Sequence, residues 1–166
     1  DRLIRAFSEL ARPYPDWDLA IVGEGAQRAD LQRCIAACGI VNRVRLVGRV
    51  GNLGDWYARA DLYVLSSHAE GFPNALLEAR AHGVPSISTA CETGPADIVT
   101  HGSTGLLVDS VDATTGLREA MQALLEDPER RRCLGRAARG VSARYKVEKV
   151  SRQWLELEAT DRSTPR

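Results

Sequence analysis

Two carboxylates, Glu70 and Glu78, bracket the stretch Gly71-Phe72-Pro73-Asn74-Ala75-Leu76-Leu77, and their type and spacing limit the chemistry they can do. The run Asp61-Leu62-Tyr63-Val64-Leu65 ahead of them is short, apolar and β-rich, which suits a buried parallel strand. Ala75-Leu76-Leu77-Glu78-Ala79-Arg80-Ala81 consists of good helix formers, so the order is strand, loop, helix. Pro73 fits the first helical turn, and the amides of Asn74 and Ala75 then point out of the helix end, an arrangement that attracts phosphate. Glu70 falls in the loop and Glu78 about two turns into the helix, so at ~1.5 Å rise per residue their backbones lie on the order of 10 Å apart. Glycosidase carboxyl pairs face one bond across ~5.5 Å or ~6.5–9.5 Å, an opposition that one loop and its helix do not readily supply. Two acids flanking a helix N-terminus can instead hold the ends of a sugar-diphosphate-nucleoside. One takes sugar hydroxyls and the other ribose hydroxyls, with the diphosphate over the helix end between them.

The elements that must position these acids alternate along the chain. Helices are expected at the start (Leu3, Ile4, Phe7, Leu10, Ala11), from about Asp30 to Cys38, from Leu53 to Ala60, through the Glu78 segment, and in a short turn from Pro95. Between them fall strands near Leu19 to Val22, Val44 to Val47, Asp61 to Leu65, Pro85 to Ser88 and Leu106 to Val108. Leu117, Ala120, Met121, Leu124 and Leu125 then form one helical face, followed by helices from Pro128 to about Arg144 and from Val147 to about Ala159. Alternation at these lengths predicts an α/β, Rossmann-like parallel sheet sandwiched by helices. Residues 1–159 read as one domain, with the tail from Thr160 left without reason to order. At 166 residues the chain is long enough to bury about 70% of the surface its unfolded form exposes.

Composition narrows the partners. Twenty-two basic and 22 acidic residues balance, and no basic run is interleaved with aromatics, which argues against nucleic acid. No apolar run approaches ~18 residues and no signal-peptide pattern is present, so a cytoplasmic location is expected. Cys34 and Cys38 share a helical stripe with Leu31 and Ile35 and read as core thiols, as does Cys133, and Cys91 is placed near the cleft without a base of its own. Gly23-Glu24-Gly25 lacks the third glycine of a dinucleotide fingerprint, because Arg28 stands at that position. It reads as a tight turn or as cleft lining, and since ligands gather at the carboxyl ends of parallel strands, Gly23 and Gly25 are both retained as candidates. Arg28 is read as a solvated side chain or a phosphate ligand. His68 is read as a partly exposed loop residue or a group acting on the sugar, and His82 and His101 as structural.

Glu70 and Glu78, the intervening Gly71-Phe72, and Ala81-His82-Gly83-Val84-Pro85 resemble the donor-binding domain of retaining glycosyltransferases of family 4, which have the GT-B architecture. Asp18-Leu19-Ala20-Ile21-Val22-Gly23-Glu24-Gly25, Val44-Arg45-Leu46-Val47-Gly48-Arg49-Val50 and Gly102-Ser103-Thr104-Gly105-Leu106-Leu107-Val108 are similar to further strands and turns of that domain. Cys91-Glu92-Thr93-Gly94-Pro95-Ala96-Asp97-Ile98 resembles a segment of the polysaccharide and lipid-linked oligosaccharide branch, which transfers hexoses or N-acetylhexosamines from UDP. The likeness covers about residues 1 to 158.

That resemblance implies roles. Glu70 is the catalytic-site acid at the donor hexose, Glu78 binds the ribose, the amides beside Gly71 at Phe72, Asn74 and Ala75 face the diphosphate, and the backbone at Val50 faces the base. No tightly bound metal is implied; the partner is a nucleotide-sugar donor, most simply a UDP-sugar. The family's Arg and Lys pair, its first donor-domain strand and its acceptor domain are expected outside these 166 residues, so the isolated chain is expected not to turn over. Any peripheral membrane contact would come through that acceptor domain. The apolar stripe Val147, Val150, Trp154 and Leu157 is expected to be exposed or to pair with another copy. Asp97 stands where the family often has Glu, and Arg80 replaces a small or thioether residue, which suggests a wet helix face. A non-catalytic nucleotide-sugar or interaction module on the same fold is the alternative.

Overall fold

A computed structural model describes residues 1–161. Its elements run α1 (Arg2–Ala11), β1 (Leu19–Val22), α2 (Arg28–Ala37), β2 (Val44–Gly48), α3 (Leu53–Arg59), β3 (Tyr63–Leu65) and α4 (Asn74–Ala81). Then follow β4 (Ser86–Ala90), α5 (Pro95–Ile98), β5 (Leu106–Asp109), α6 (Ala113–Glu126), α7 (Pro128–Ala138), α8 (Val141–Arg144) and α9 (Val147–Asp161). Side chains decide the helix starts. Asn52 caps Gly54 of α3, Asp112 caps Thr115 of α6, and Asp127 caps Arg130 of α7 with Pro128 at the first helical position.

Every strand pairing is parallel, as the alternation of elements requires. The strands divide, however, into a β1-β2 pair and a β3-β4-β5 sheet, so β1 and β3 each have one strand partner among the described residues. Successive side chains of a strand point to opposite faces, and the core separates accordingly. Leu62, Val64, Leu106 and Val108 face a large cluster with Ile4, Phe7 and Leu10 of α1 and Leu117, Met121 and Leu124 of α6. Tyr63, Leu65 and Leu107 face Leu76 of α4, Ile98 of α5 and Val141 of α8 on the other side. Helices therefore cover both faces. The middle strand β4 is the most enclosed: Ser86, Ile87, Ser88 and Thr89 are all fully buried, and the three hydroxyls bond to main-chain carbonyls.

Two boundaries differ from expectation. The helix predicted from Pro128 to Arg144 is two helices, α7 and α8, separated at Arg139 and Gly140. The Arg139 side chain lies against Gly83 at the end of α4, where a Cβ would sit 2.3 Å from its Nε. Gly83 itself, at φ +80°, ends α4 in a Schellman turn, donating to Arg80 O while Val84 donates to Ala79 O. The second difference is that α9 continues through Thr160 to Asp161, past the expected end of order; residues 162–166 lie outside the described part. Val147 and Trp154 of the predicted stripe are exposed, with Leu155 beside them, and the side chain of Leu157 lies outside the described residues. No helix among the described residues is long and apolar enough to cross a membrane.

Candidate functional site

The Glu70 loop leaves the end of β3 and is tied to the end of β4 and the segment after it. Thr89 Oγ1 donates to Ser67 O at 2.6 Å, Cys91 Sγ to the same carbonyl at 3.5 Å, and Thr93 Oγ1 to Glu70 O at 2.7 Å. Ser67 Oγ then donates to Glu70 Oε1 at 2.5 Å, so the half-buried carboxylate has its own donor within the loop. Gly94, at φ +90°, allows the two segments to close: a Cβ there would meet Gly71 O at 2.7 Å and Pro73 Cδ at 2.8 Å. A left-handed backbone and that contact leave room for glycine only.

At the helix start, Pro73 occupies the capping position rather than the first helical one, and its carbonyl accepts from Leu76 at 3.0 Å and Leu77 at 3.1 Å. Asn74 N–H turns back to Phe72 O at 3.0 Å, which removes one of the three expected phosphate-facing amides. The amides of Phe72 and Ala75 have no backbone acceptor among the described residues. Gly71, Phe72, Asn74, Ala75 and Glu78 are all exposed, so the helix start and its acid face solvent. The Phe72 ring lies edge-on to Tyr145 with centroids 5.4 Å apart. Phe72 and Leu77 then form one side of an open groove whose other side is Tyr145, Val147, Arg144 and Lys149.

Val50 is half-buried in the link between β2 and α3, two residues before the Asn52 cap. α3 runs from there to Tyr57, whose hydroxyl reaches Glu78 Oε2 at 3.3 Å. The structure thus connects the expected base end to the expected ribose acid through one short helix. Burial, followed by the nearby Glu78 charge and the hydrogen bond to it, pushes the Tyr57 hydroxyl up to about 12. Tyr63 is also raised, first by burial and then by Tyr57, Glu70 and Glu78, which places its ring within the influence of both acids.

Gly23 and Gly25 stand elsewhere, on the β1-β2 pair. Gly23, at φ +136°, donates to Gly48 O at 2.9 Å, and Gly25 O accepts from Arg28 N at 3.1 Å as α2 begins. Both are exposed, and no hydrogen bond among the described residues joins their loop to the Glu70 loop. Arg28 is neither a free solvated arm nor aimed outward: it pairs with Glu24 at 2.9 Å and donates to Leu46 O at 3.0 Å. His68 is exposed and bonded to Arg2, which brings a cation from the start of α1 to the Glu70 loop. His101 accepts from Leu107 N at 3.0 Å, a structural role as expected. Asp97 has an exposed side chain and contributes its carbonyl to Tyr145.

Arg80 reverses its expectation. It is 1% exposed rather than wet, with one guanidinium nitrogen donating to Thr104 O and its Nε without a partner. Sequence reasoning also passed over Thr89, Thr93, Gly94 and Tyr57, because each acts on the acids across a long stretch of chain and leaves no local pattern. Among the described residues, no group of three His, Cys, Asp or Glu is arranged to hold a metal ion.

Parallel strands between two helical layers, with the Glu-bearing loop at the end of β3, reproduce an architecture seen in solved proteins. The C-terminal domain of a glycosyl transferase group 1 family protein from Francisella tularensis matches with a TM-score of 0.77 over 87% of this chain and 77% of that one, at 23% identity. HepE of Anabaena, solved in complex with UDP, matches with a TM-score of 0.85 over 96% of this chain and 44% of that one, also at 23% identity. The fold class is therefore that of the C-terminal half of a GT-B protein. Residues 1–141 match the family described as glycosyl transferases group 1, and the chain belongs to that family. It is 38% identical over 158 residues to an exopolysaccharide phosphotransferase of Streptomyces coelicolor, covering 95% of this chain and 17% of that relative. The chain spans less than half the length of HepE and of the Streptomyces relative.

Proposed function

We propose that this domain holds a nucleotide-sugar donor, a UDP-hexose or UDP-N-acetylhexosamine, for a retaining glycosyltransferase of family 4. The observation that carries the reading is the pair of separately anchored acids on either side of one helix start, Glu70 held by Ser67 and Glu78 contacted by Tyr57. Glu70 accepts from hydroxyls of the transferred sugar and Glu78 from the ribose. The amides of Phe72 and Ala75 stabilise the diphosphate as charge grows on it, an electrostatic role that needs no bound metal. The Val50 backbone meets the base, and Gly23 and Gly25 line the cleft from the other sheet. HepE, which shares the fold, was solved with UDP, and this supports a uridine donor.

In the reaction the bond from the anomeric carbon to the diphosphate oxygen breaks, and a bond to an acceptor hydroxyl forms on the same face of the sugar. The acceptor proton passes to the departing diphosphate. The acceptor is a glycan or lipid-linked sugar bound by a second domain, and the reaction takes place in the cytoplasm. Calorimetric titration with UDP, GDP and ADP tests the reading: UDP binds most tightly and Glu78→Ala weakens it, whereas Glu70→Ala mainly lowers transfer in the complete enzyme. Binding of no nucleotide, or unchanged behaviour of both variants, refutes it in favour of an interaction module.

A further inference from the structure

Glu78 is exposed on α4, and among the described residues a single side chain bonds its carboxylate. That side chain is Tyr57, from α3. Its ring is 7% exposed, set edge-on to Tyr63 with centroids 6.2 Å apart and tilted over His82 at 5.2 Å. Packing on two sides fixes where the hydroxyl can go. It lies 3.3 Å from Glu78 Oε2 and 3.3 Å from Ala75 O, so one proton is shared between the carboxylate and the first turn of α4. His82 holds the same residue through the main chain, with Nδ1 at 2.9 Å from Glu78 O. A carbonyl only accepts, so the ring proton sits on Nδ1.

An unrestrained glutamate on a helix surface samples many rotamers and must be ordered when a ligand arrives. We propose that Tyr57 is a positioning residue for Glu78: its hydroxyl engages Oε2 and leaves Oε1 directed to accept from the vicinal hydroxyls of a nucleoside diphosphate's ribose. The inference rests on the donor-binding reading and deepens it. Tyr57 works from outside the ligand, because its ring is enclosed by Tyr63 and His82. Since its hydroxyl ionises only near pH 12, it remains a donor throughout the neutral range. The consequence is selectivity for ribose, because the oriented Oε1 loses its partner when a ribose hydroxyl is missing.

The test is calorimetric titration of the 166-residue chain and its Tyr57→Phe variant with UDP, 2′-deoxy-UDP and 3′-deoxy-UDP. Phenylalanine keeps both ring contacts, and a thermal melt verifies the fold. Loss of a hydrogen bond to a charged group raises the UDP Kd about ten-fold. The preference for UDP over the deoxy ligands shrinks with it. Tyr14→Phe, which breaks a comparable hydroxyl contact with Glu126 away from the Glu motif, leaves both readouts unchanged. If the unsubstituted chain binds UDP but Tyr57→Phe changes neither affinity nor preference, the positioning role is overturned and the donor reading stands. If the unsubstituted chain binds no UDP, the donor reading fails and takes the positioning role with it.

Discussion

Gly94 touches Gly71: a Cβ at residue 94 would lie 2.7 Å from the Gly71 carbonyl oxygen, and the backbone there is already at φ +90°. This contact presses the segment after β4 onto the loop that carries Glu70, next to the bond from Thr93 to Glu70 O. Gly94→Ala combines a left-handed backbone with a clash against main chain that cannot yield like a flexible side-chain tip. The expected loss of stability is on the order of 3 kcal/mol. Thermal melts and UDP titration both read it, with lower melting and weaker binding together.

The Ser67 hydroxyl bonds Glu70 alone. It donates to Oε1 at 2.5 Å, and removing a donor to a charged group costs roughly 1.5–3 kcal/mol in favourable cases. Ser67→Ala is expected to lower sugar transfer in the complete enzyme by about ten-fold or more while the UDP Kd stays unchanged. Steady-state kinetics beside nucleotide titration separate the two effects, and weakened UDP binding would show that Ser67 supports the whole loop instead.

Arg80 is a buried cation without an ion-pair partner among the described residues, and burial lowers its pKa from the ordinary arginine value. Its one bond to Thr104 O does not occupy Nε. Replacing such a group by an apolar side chain of similar reach is often neutral or stabilising by about 1–4 kcal/mol. Arg80→Met is expected to melt at or above the unsubstituted chain, and Arg80→Ala below it because of the cavity left. A clear fall in melting temperature for the methionine variant would mean that the Thr104 bond matters more than the unpaired charge.

Tyr57 also sets an alkaline limit. Its folded-state pKa of about 12 lies above the ordinary 10, so the unfolded chain ionises first as pH rises. Stability linked to this hydroxyl is fully present below about pH 10 and is lost between there and pH 12. Melting temperatures across that window should fall more steeply for the unsubstituted chain than for Tyr57→Phe. Parallel curves would show that the hydroxyl titrates alike in both states.

What the amino-acid order determined by itself was local. Apolar periodicity located the strands and most helices, and the Glu70 to Glu78 spacing put one acid in a loop and the other on a helix. Those features depend on neighbours within about two turns, and the group 1 family match agrees with them. Only the tertiary structure decided the rest. It separated the strands into two sheets, divided the helix expected from Pro128 to Arg144 at Arg139 and Gly140, and turned the Asn74 amide back to Phe72 O. It buried Arg80, which the family resemblance marked as wet, and gave Glu70 and Glu78 their supports from Thr93, Gly94 and Tyr57. Tyr57 lies 21 positions before Glu78, and Thr93 lies 23 after Glu70. No periodicity records such pairs, because packing of β3, β4 and the helices upon them is what brings them within bonding distance.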